Sequence, residues 1–119
     1  MASVNIVNVT SILPFTINGA VTTSNQDIID VAADKLYKIN TILISNIDGT
    51  NAADISVSIS TDNGSSSRAI ASTISVPADS TLSLISTTLY LDETDILKIQ
   101  GSANNDLEYT VSGEILDDA

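Results

Sequence analysis

The stretch SNIDGTNAAD, residues 45–54, places four oxygen-bearing side chains around a single glycine: Asn46, Asp48, Asn51 and Asp54. Carboxylate and amide oxygens are the ligands that Ca²⁺ prefers in proteins. In an EF-hand register that begins at Asn46, however, position 6 is Asn51 instead of glycine and position 12 is Val57 instead of glutamate. We therefore interpret the stretch as a solvated connecting loop, with an irregular calcium site as the alternative.

A second group of carboxylates, Asp92, Glu93 and Asp95, lies between the apolar residues Leu91 and Ile96. Glycosidase or aspartic-protease chemistry needs two carboxyl groups that converge on one substrate atom, with pKa values separated by burial. A short polar loop favours the opposite environment. We predict a turn whose three carboxylates are solvated and ionised.

Nucleophilic catalysis has little support in the residue types. The chain has no histidine and no cysteine, which excludes a Ser-His-Asp triad, a thiol enzyme and a zinc ribbon. No G-x-S-x-G or glycine-rich phosphate motif occurs, and a Ser-Lys dyad would have to recruit Lys35, Lys38 or Lys98 without a supporting pattern. We predict that the protein is not an enzyme and has no catalytic, cofactor-binding or metal-binding residues.

Length and composition predict one folded domain over residues 1–119, of which about 1–12 form an extended N-terminal arm or an edge strand. Apolar residues make up 43% of the chain and the mean hydropathy is +0.25, whereas aromatic residues make up only 3%. The core is therefore expected to be aliphatic. Phe15 and the tyrosines Tyr37, Tyr90 and Tyr109 are assigned by default to the core or its rim.

The formal net charge of −11 repels phosphate backbones and anionic headgroups, so we expect neither nucleic acid nor membrane partners. We also expect no export signal and no membrane span, because the N-terminus lacks a basic segment followed by a continuous apolar run. Arg68, the only arginine, is interpreted as a strand-end charge that discourages edge pairing, with an interface anchor as the alternative.

The hydrophobic period is two, which is typical of strands with one buried face. Three segments show it most clearly, with these apolar positions: Ile55, Val57 and Ile59; Ile70, Ile74 and Val76; Leu107, Tyr109, Val111 and Ile115. Residues 36–47 and 81–91 form longer strands that change phase partway. In the first, the change predicts either a bulge near Asn40 and Thr41 or a strand covered on both faces. Further strands are predicted at residues 5–13, 15–23, 27–32 and 96–100.

Turn signals separate these segments, since Gly and Asn tolerate positive φ and Asx side chains imitate a turn hydrogen bond. They are Asn18-Gly19, Asp48-Gly49, Asp62-Asn63-Gly64, Pro77-Ala78-Asp79, Asp92-Glu93 and Asn104-Asn105-Asp106. Eight or nine strands at this spacing predict an all-β fold, an antiparallel two-sheet β-sandwich of jelly-roll kind.

From residue 36 onward the chain resembles small β-sandwich virion proteins of tailed bacteriophages. The shared features are Tyr37-Lys38-Ile39, the Asn46 to Gly49 loop, the Val76 to Thr81 turn, the Leu89 to Leu97 hairpin and the Ser102 to Leu107 entry to the last strand. The first 35 residues carry no such motif.

The resemblance implies a structural protein of the particle, a head decoration (cement) protein or a small tail component. It implies homo-oligomers, with a trimer favoured, and the major capsid protein or another virion protein as partner. The implied location is the virion, with the capsid surface favoured, after synthesis in the host cytoplasm. A tail, neck or fibre module is the alternative, followed by a glycan-binding or adhesion module, which would need Tyr37, Tyr90 and Tyr109 exposed together.

Overall fold

The computed structural model of the protein describes residues 4–118, and nearly all of its regular structure is extended. A 3₁₀ turn at Ile6–Asn8 precedes the strands. The strands are β1 (Ser11–Ala20), β2 (Gln26–Asp30), β3 (Lys35–Asn46), β4 (Ala53–Ser60), β5 (Arg68–Val76), β6 (Thr81–Ser83), β7 (Leu89–Leu91), β8 (Ile96–Gly101) and β9 (Leu107–Asp117).

Two antiparallel sheets form a sandwich. Sheet A has the order β1-β9-β3-β6, and β7 also pairs with β3; sheet B has the order β2-β8-β4-β5. The chain passes from one sheet to the other at every connection except β4 to β5 and β6 to β7. This alternation between two packed sheets is the jelly-roll arrangement, so the predicted fold class is confirmed.

The core lies between the sheets and is aliphatic, as predicted. Ile42 and Ile44 on β3 face Val57 on β4 and Ile99 on β8 across the sandwich, and all four are at most 1% exposed. Each such side chain contributes about 1.5–3 kcal/mol relative to an exposed one. The alternation predicted for β4 therefore places its apolar residues on the core face.

A bulge in β3 explains the change of phase in that strand. Its register with β9 shifts between Ile39, opposite Gly113, and Thr41, opposite Ser112, so the first of the two predicted alternatives, a bulge near Asn40 and Thr41, is confirmed. Gly113 lies so close to β3 that an added Cβ would overlap the Lys38 carbonyl oxygen. Only a residue without a side chain fits opposite this bulge.

The single strand predicted over residues 81–91 is wrong, because the structure has two short strands there. β6 pairs with residues 43–45 of β3, and β7 pairs with residues 37–39. The bulge lies between these two portions of β3. On the other side of β3, β9 remains paired through the shift in register, so the interruption affects only the partner formed by β6 and β7.

The N-terminal third also differs from the prediction of two strands over residues 5–13 and 15–23. One strand, β1, runs through both Pro14 and Asn18-Gly19, so the turn predicted at Asn18-Gly19 is wrong. Pro14 is tolerated because β1 is an edge strand, where a missing N–H can face away from the sheet. Of the predicted arm, residues 1–3 lie outside the described part of the chain, and the arm stays a prediction.

The phase predicted for β5 is wrong at two positions. Val76 is buried, but Ile70 and Ile74 are 40% and 42% exposed, and Ala71 faces the core instead. Thr73 has φ 48 and the register with β4 shifts on both sides of Val57. A β-branched residue in this region of backbone space is uncommon, and it lies where the phase changes between Ala71 and Val76, which both face the core.

Candidate functional site

The loop of residues 45–54 is organised by Asn46, the last residue of β3, which is 3% exposed. Its Nδ2 donates hydrogen bonds to the carbonyl oxygens of Asn51 (3.0 Å) and Val76 (2.9 Å). Its Oδ1 accepts the N–H of Asp48 at 2.9 Å. All of these bonds are internal, so the amide fixes the loop against the end of β5.

The Asp48 carboxylate also accepts hydrogen bonds from within the loop. Its Oδ1 accepts the N–H groups of Thr50 (2.8 Å) and Asn51 (3.2 Å), and these bonds hold its pKa below the usual value. The loop therefore has the turn geometry that the sequence predicts. Between residues 4 and 118, no group of three or more acidic side chains is placed to hold a metal ion.

The acidic loop after β7 is a turn, as predicted, but its carboxylates are not all solvated. Asp95 is only 9% exposed, and its Oδ2 accepts the N–H of Asp92 at 2.8 Å. Burial raises the pKa of the Asp95 carboxyl. The prediction of three solvated carboxylates is thus wrong for Asp95, because its side chain folds back beneath the turn.

The other two carboxylates of this loop bind neighbouring backbone. Glu93 Oε2 accepts the N–H of Asp34 at 2.6 Å, and Asp92 Oδ1 accepts the N–H groups of Glu93 and Val4. The loop thereby joins β7, the turn before β3 and the N-terminal segment. Each of the three carboxylates accepts backbone N–H groups, which favours a structural role.

The basic residues are placed for structure as well. Lys35, Lys38 and Lys98 lie 2.6, 3.6 and 2.7 Å from carboxylate oxygens of Asp117, Glu114 and Asp27, respectively. Arg68 is exposed at the first position of β5, which is an edge strand. This position fits the interpretation of Arg68 as a charge that guards the edge.

The aromatic residues do not form a common surface. Phe15 and Tyr37 contact each other edge to face, with ring centroids 5.3 Å apart, and both pack against the core. The Tyr109 ring lies against Gly19, where an added Cβ would be 3.0 Å from it. Tyr90 is 49% exposed and does not pack against the core, so its default assignment to the core or its rim is wrong.

One surface feature was missed by reasoning from the sequence. Four large apolar side chains near the N-terminus are more than half exposed: Ile6, Val7, Ile12 and Leu13. They belong to a segment, residues 1–26, that contains no charged residue, while all 19 charged residues follow it. This uneven distribution of charge is visible in the sequence and could have identified the segment.

At the other end of β1 the side chains are small. A shallow depression of about 270 Å³ there is lined by Asn18, Gly19, Ala20, Ser45, Glu108, Tyr109 and Thr110. Within residues 4–118, no buried side-chain nitrogen or oxygen lacks a hydrogen-bond partner. The described interior therefore offers no unpaired polar group to a ligand.

Comparison with known proteins gives likeness in fold only. No protein-family model and no curated protein match the chain. A solved structure from Bacillus endospore appendages, a family of disulfide-linked pili, aligns with a TM-score of 0.55 and 14% identity over 92% of this chain and 88% of that one. A chain of the T13 particle of infectious bursal disease virus aligns with a TM-score of 0.52 and 13% identity over 92% of this chain.

This jelly roll therefore also occurs in chains of a pilus and of a virus particle. The protein spans about a third of the virus-particle chain, 32% of its length. It has no cysteine, so it cannot make the disulfide links of the appendage pili. Between residues 4 and 118, no helix is long and apolar enough to cross a membrane.

Proposed function

We propose that the protein is a non-enzymatic structural protein of a phage virion, a decoration (cement) protein that binds the outer shell and bridges capsomers. The observation that carries this proposal is that the polar side chains which resemble a site form hydrogen bonds within the protein itself. Asn46, Asp48 and Asp95 each bind backbone of their own loop or of a neighbouring strand. A molecule built in this way acts through its surface, and its affinity for a shell comes from buried area multiplied by valency.

Two further observations support the proposal. The jelly roll is similar in fold to about a third of a chain of an icosahedral virus particle and to a chain of an endospore-appendage pilus. The motifs from Tyr37 to Leu107 resemble those of tailed-phage virion proteins. The net charge of −11 suits the outside of a shell, because an acidic protein is repelled by packaged DNA.

The second candidate is a tail, neck or fibre-associated module of the same particle, and the same exposed edges and apolar side chains would serve it. A glycan-binding module has less support. It needs aromatic platforms, but Tyr37 and Tyr109 are half-buried against the core and only Tyr90 is exposed.

Separation of purified heads from tails, followed by mass spectrometry of each fraction, tests the location. The proposal predicts that the protein occurs in the head fraction, in many more copies than the portal protein. Detection in the tail fraction alone would replace it with the second candidate. Absence from both fractions would overturn a role in the virion.

A further inference from the structure

The exposed edge of β1 carries no charge, and two of the three acidic residues of the neighbouring strand β9 are paired with lysines. Glu114 and Asp117 are paired with Lys38 and Lys35, whereas Glu108, opposite Ala20, is exposed. Two copies of a chain with a net charge of −11 repel each other through most of their surface. β1 itself has no charged residue, so two copies that pair along it place only the two Glu108 side chains of β9 beside the contact, at opposite ends of the paired strands.

β1 also has hydrogen-bonding groups available for a further strand. The Val21 N–H donates to the Leu107 carbonyl oxygen at 2.9 Å, and the register between β1 and β9 is one for one from Ser11 to Ala20. In antiparallel pairs the hydrogen-bonded positions alternate, so odd-numbered residues of β1 face β9. The even-numbered residues direct their backbone groups to the outer edge, where no strand of residues 4–118 pairs with them.

Edges of this length are usually protected by charge or proline. β5 carries Arg68 and β2 carries Asp27 and Asp30, whereas β1 carries only Pro14. Because Pro14 is even-numbered, the N–H that it lacks would have faced the outer edge. The pairing of β1 with β9 therefore loses no hydrogen bond. The protection of β1 is therefore partial.

The side chains of β1 complement those of a second β1 in antiparallel orientation. Large apolar residues stand near its start, where Ile12 and Leu13 are 58% and 62% exposed. Small residues, Gly19 and Ala20, stand at its end beside the shallow depression. In a twofold register centred on Thr16, Ile12 of one copy meets Ala20 of the other, and Leu13 meets Gly19 against the Tyr109 ring.

We propose that β1 is a self-association edge on which a second copy of this chain docks its own β1, antiparallel and with Thr16 on the twofold axis. Sheet A then continues through the dimer, and each exposed isoleucine and leucine is covered by the small end of the partner strand. Asn18 donates to the Pro14 carbonyl oxygen across the axis. The inference rests on the proposed assembly role and gives a dimer, in contrast to the trimer implied by the resemblance.

Sedimentation velocity over a range of concentrations tests the pairing. We expect monomer and dimer in reversible equilibrium, and Ile12→Glu to weaken dimerisation by at least about a hundredfold, because each copy loses one buried isoleucine worth about a tenfold factor. Ile70→Glu is the matched control. Ile70 is also exposed but lies on β5 in the other sheet, so this variant is expected to dimerise like the parent protein.

Hydrogen exchange separates strand pairing from simple apolar contact. In dilute monomer the amides of Thr16 and Asn18 exchange rapidly while that of Ile17 is protected, and at dimer-forming concentrations all three are protected. Asn18→Pro removes an outward donor and is expected to prevent dimerisation while circular dichroism stays unchanged. If dimers form but the Thr16 and Asn18 amides remain unprotected, the strand pairing is wrong.

A protein that stays monomeric at every concentration, or that forms trimers or filaments, would also overturn the twofold pairing. A monomer that still binds to particles would leave the proposed function intact. If the protein forms this dimer but is absent from every virion fraction, the strand pairing is supported and the proposed function is overturned.

Discussion

At the scale of single residues, the polar groups that resemble a site hold the loops in place through intramolecular hydrogen bonds. Asn46 is the strongest example, because a buried amide with two donated bonds and one accepted bond fixes the loop between β3 and β4. An unpaired buried polar group costs about 1–3 kcal/mol. The polar groups of this loop therefore stabilise the fold.

Replacement of Asn46 by aspartate tests this role. Asn46→Asp keeps the size of the side chain but points a carboxylate at the carbonyl oxygens of Asn51 and Val76, so we expect a loss of about 3 kcal/mol in the free energy of unfolding. Urea denaturation measures it. Asn104→Asp is the control, because exposed Asn104 uses only its acceptor, to the N–H of Thr23. Equal stability of the two variants would contradict the role of Asn46.

Asp62 gives the protein a predictable response to acid. Hydrogen bonds from the Ser66 hydroxyl, the Ser66 N–H and the Ser60 hydroxyl hold its pKa down to about 2. A carboxyl whose pKa is lowered by folding stabilises the protein above the unfolded pKa, near 4, and this contribution is lost as the pH falls through 2.

Melting temperatures between pH 5 and pH 2 test the assignment. Asp62→Asn is expected to make the acid-induced fall shallower. Asp95→Asn is a control of opposite sign, because burial raises the pKa of Asp95 and its removal should make the fall steeper. Identical slopes in Asp62→Asn and the parent protein would show that Asp62 has an ordinary pKa.

At the scale of elements, the bulge of β3 determines the form of sheet A. It shifts the register against β9, requires a glycine opposite, and divides the outer partner into β6 and β7. The change of phase between Ile39 and Ile42 predicted either this bulge or a strand covered on both faces, and the register with β9 decides for the bulge. Its effects on Gly113 and on residues 81–91 depend on contacts between distant segments, which periodicity alone does not reveal.

Gly113→Ala tests the close approach at the bulge. The new Cβ would collide with the Lys38 carbonyl oxygen, and backbone cannot yield as a flexible side chain can, so we expect a loss of at least about 3 kcal/mol or failure to fold. Gly49→Ala is the matched control, because its nearest neighbour would be an Asp79 carboxylate oxygen at 3.7 Å. Similar melting of both variants would disprove the constraint.

The core face of β4 is tested by Val57→Asp. Val57 is 1% exposed between the sheets, so an unpaired charge there should unfold the protein. Ser58→Asp places the same charge on the opposite face and should change stability by no more than about 0.5 kcal/mol. Circular dichroism distinguishes the two, and a folded Val57→Asp protein would show that the strand phase is wrong.

Local signals in the sequence predicted the strands and turns better than they predicted which side chains are buried. Alternation placed Val57 correctly, and turn residues located the loops at Asp62-Asn63-Gly64 and Pro77-Ala78-Asp79. The signal at Asn18-Gly19 failed because Gly19 is needed for the approach of Tyr109 instead of for a turn. The phase of β5 failed at Thr73, whose positive φ is unusual for a β-branched residue.

The candidate surface was the part least accessible to motif analysis. Loops such as that of Asp48 attract attention because their residue types suggest chemistry. An edge strand such as β1 has no distinctive residue types, and its significance comes from its place in the sheet and from an absence of charge. Both depend on the rest of the chain, so the edge becomes apparent only when the register of β1 and β9 is known.

At the scale of the whole molecule, the distribution of charge supports the proposed role in assembly. A jelly roll with an aliphatic core, a net charge of −11 and a charge-free edge strand can remain soluble as a single chain and still offer a specific surface to a copy or to a shell. The charged surface and the neutral edge then have separate roles, one in solubility and one in association.

Cryo-electron microscopy of the virion would locate the protein in the particle. At a resolution that resolves the two sheets, we expect density for this jelly roll on the outer surface of the head, in contact with more than one capsomer. A head reconstruction with no density for the chain on its outer surface would overturn the proposed function.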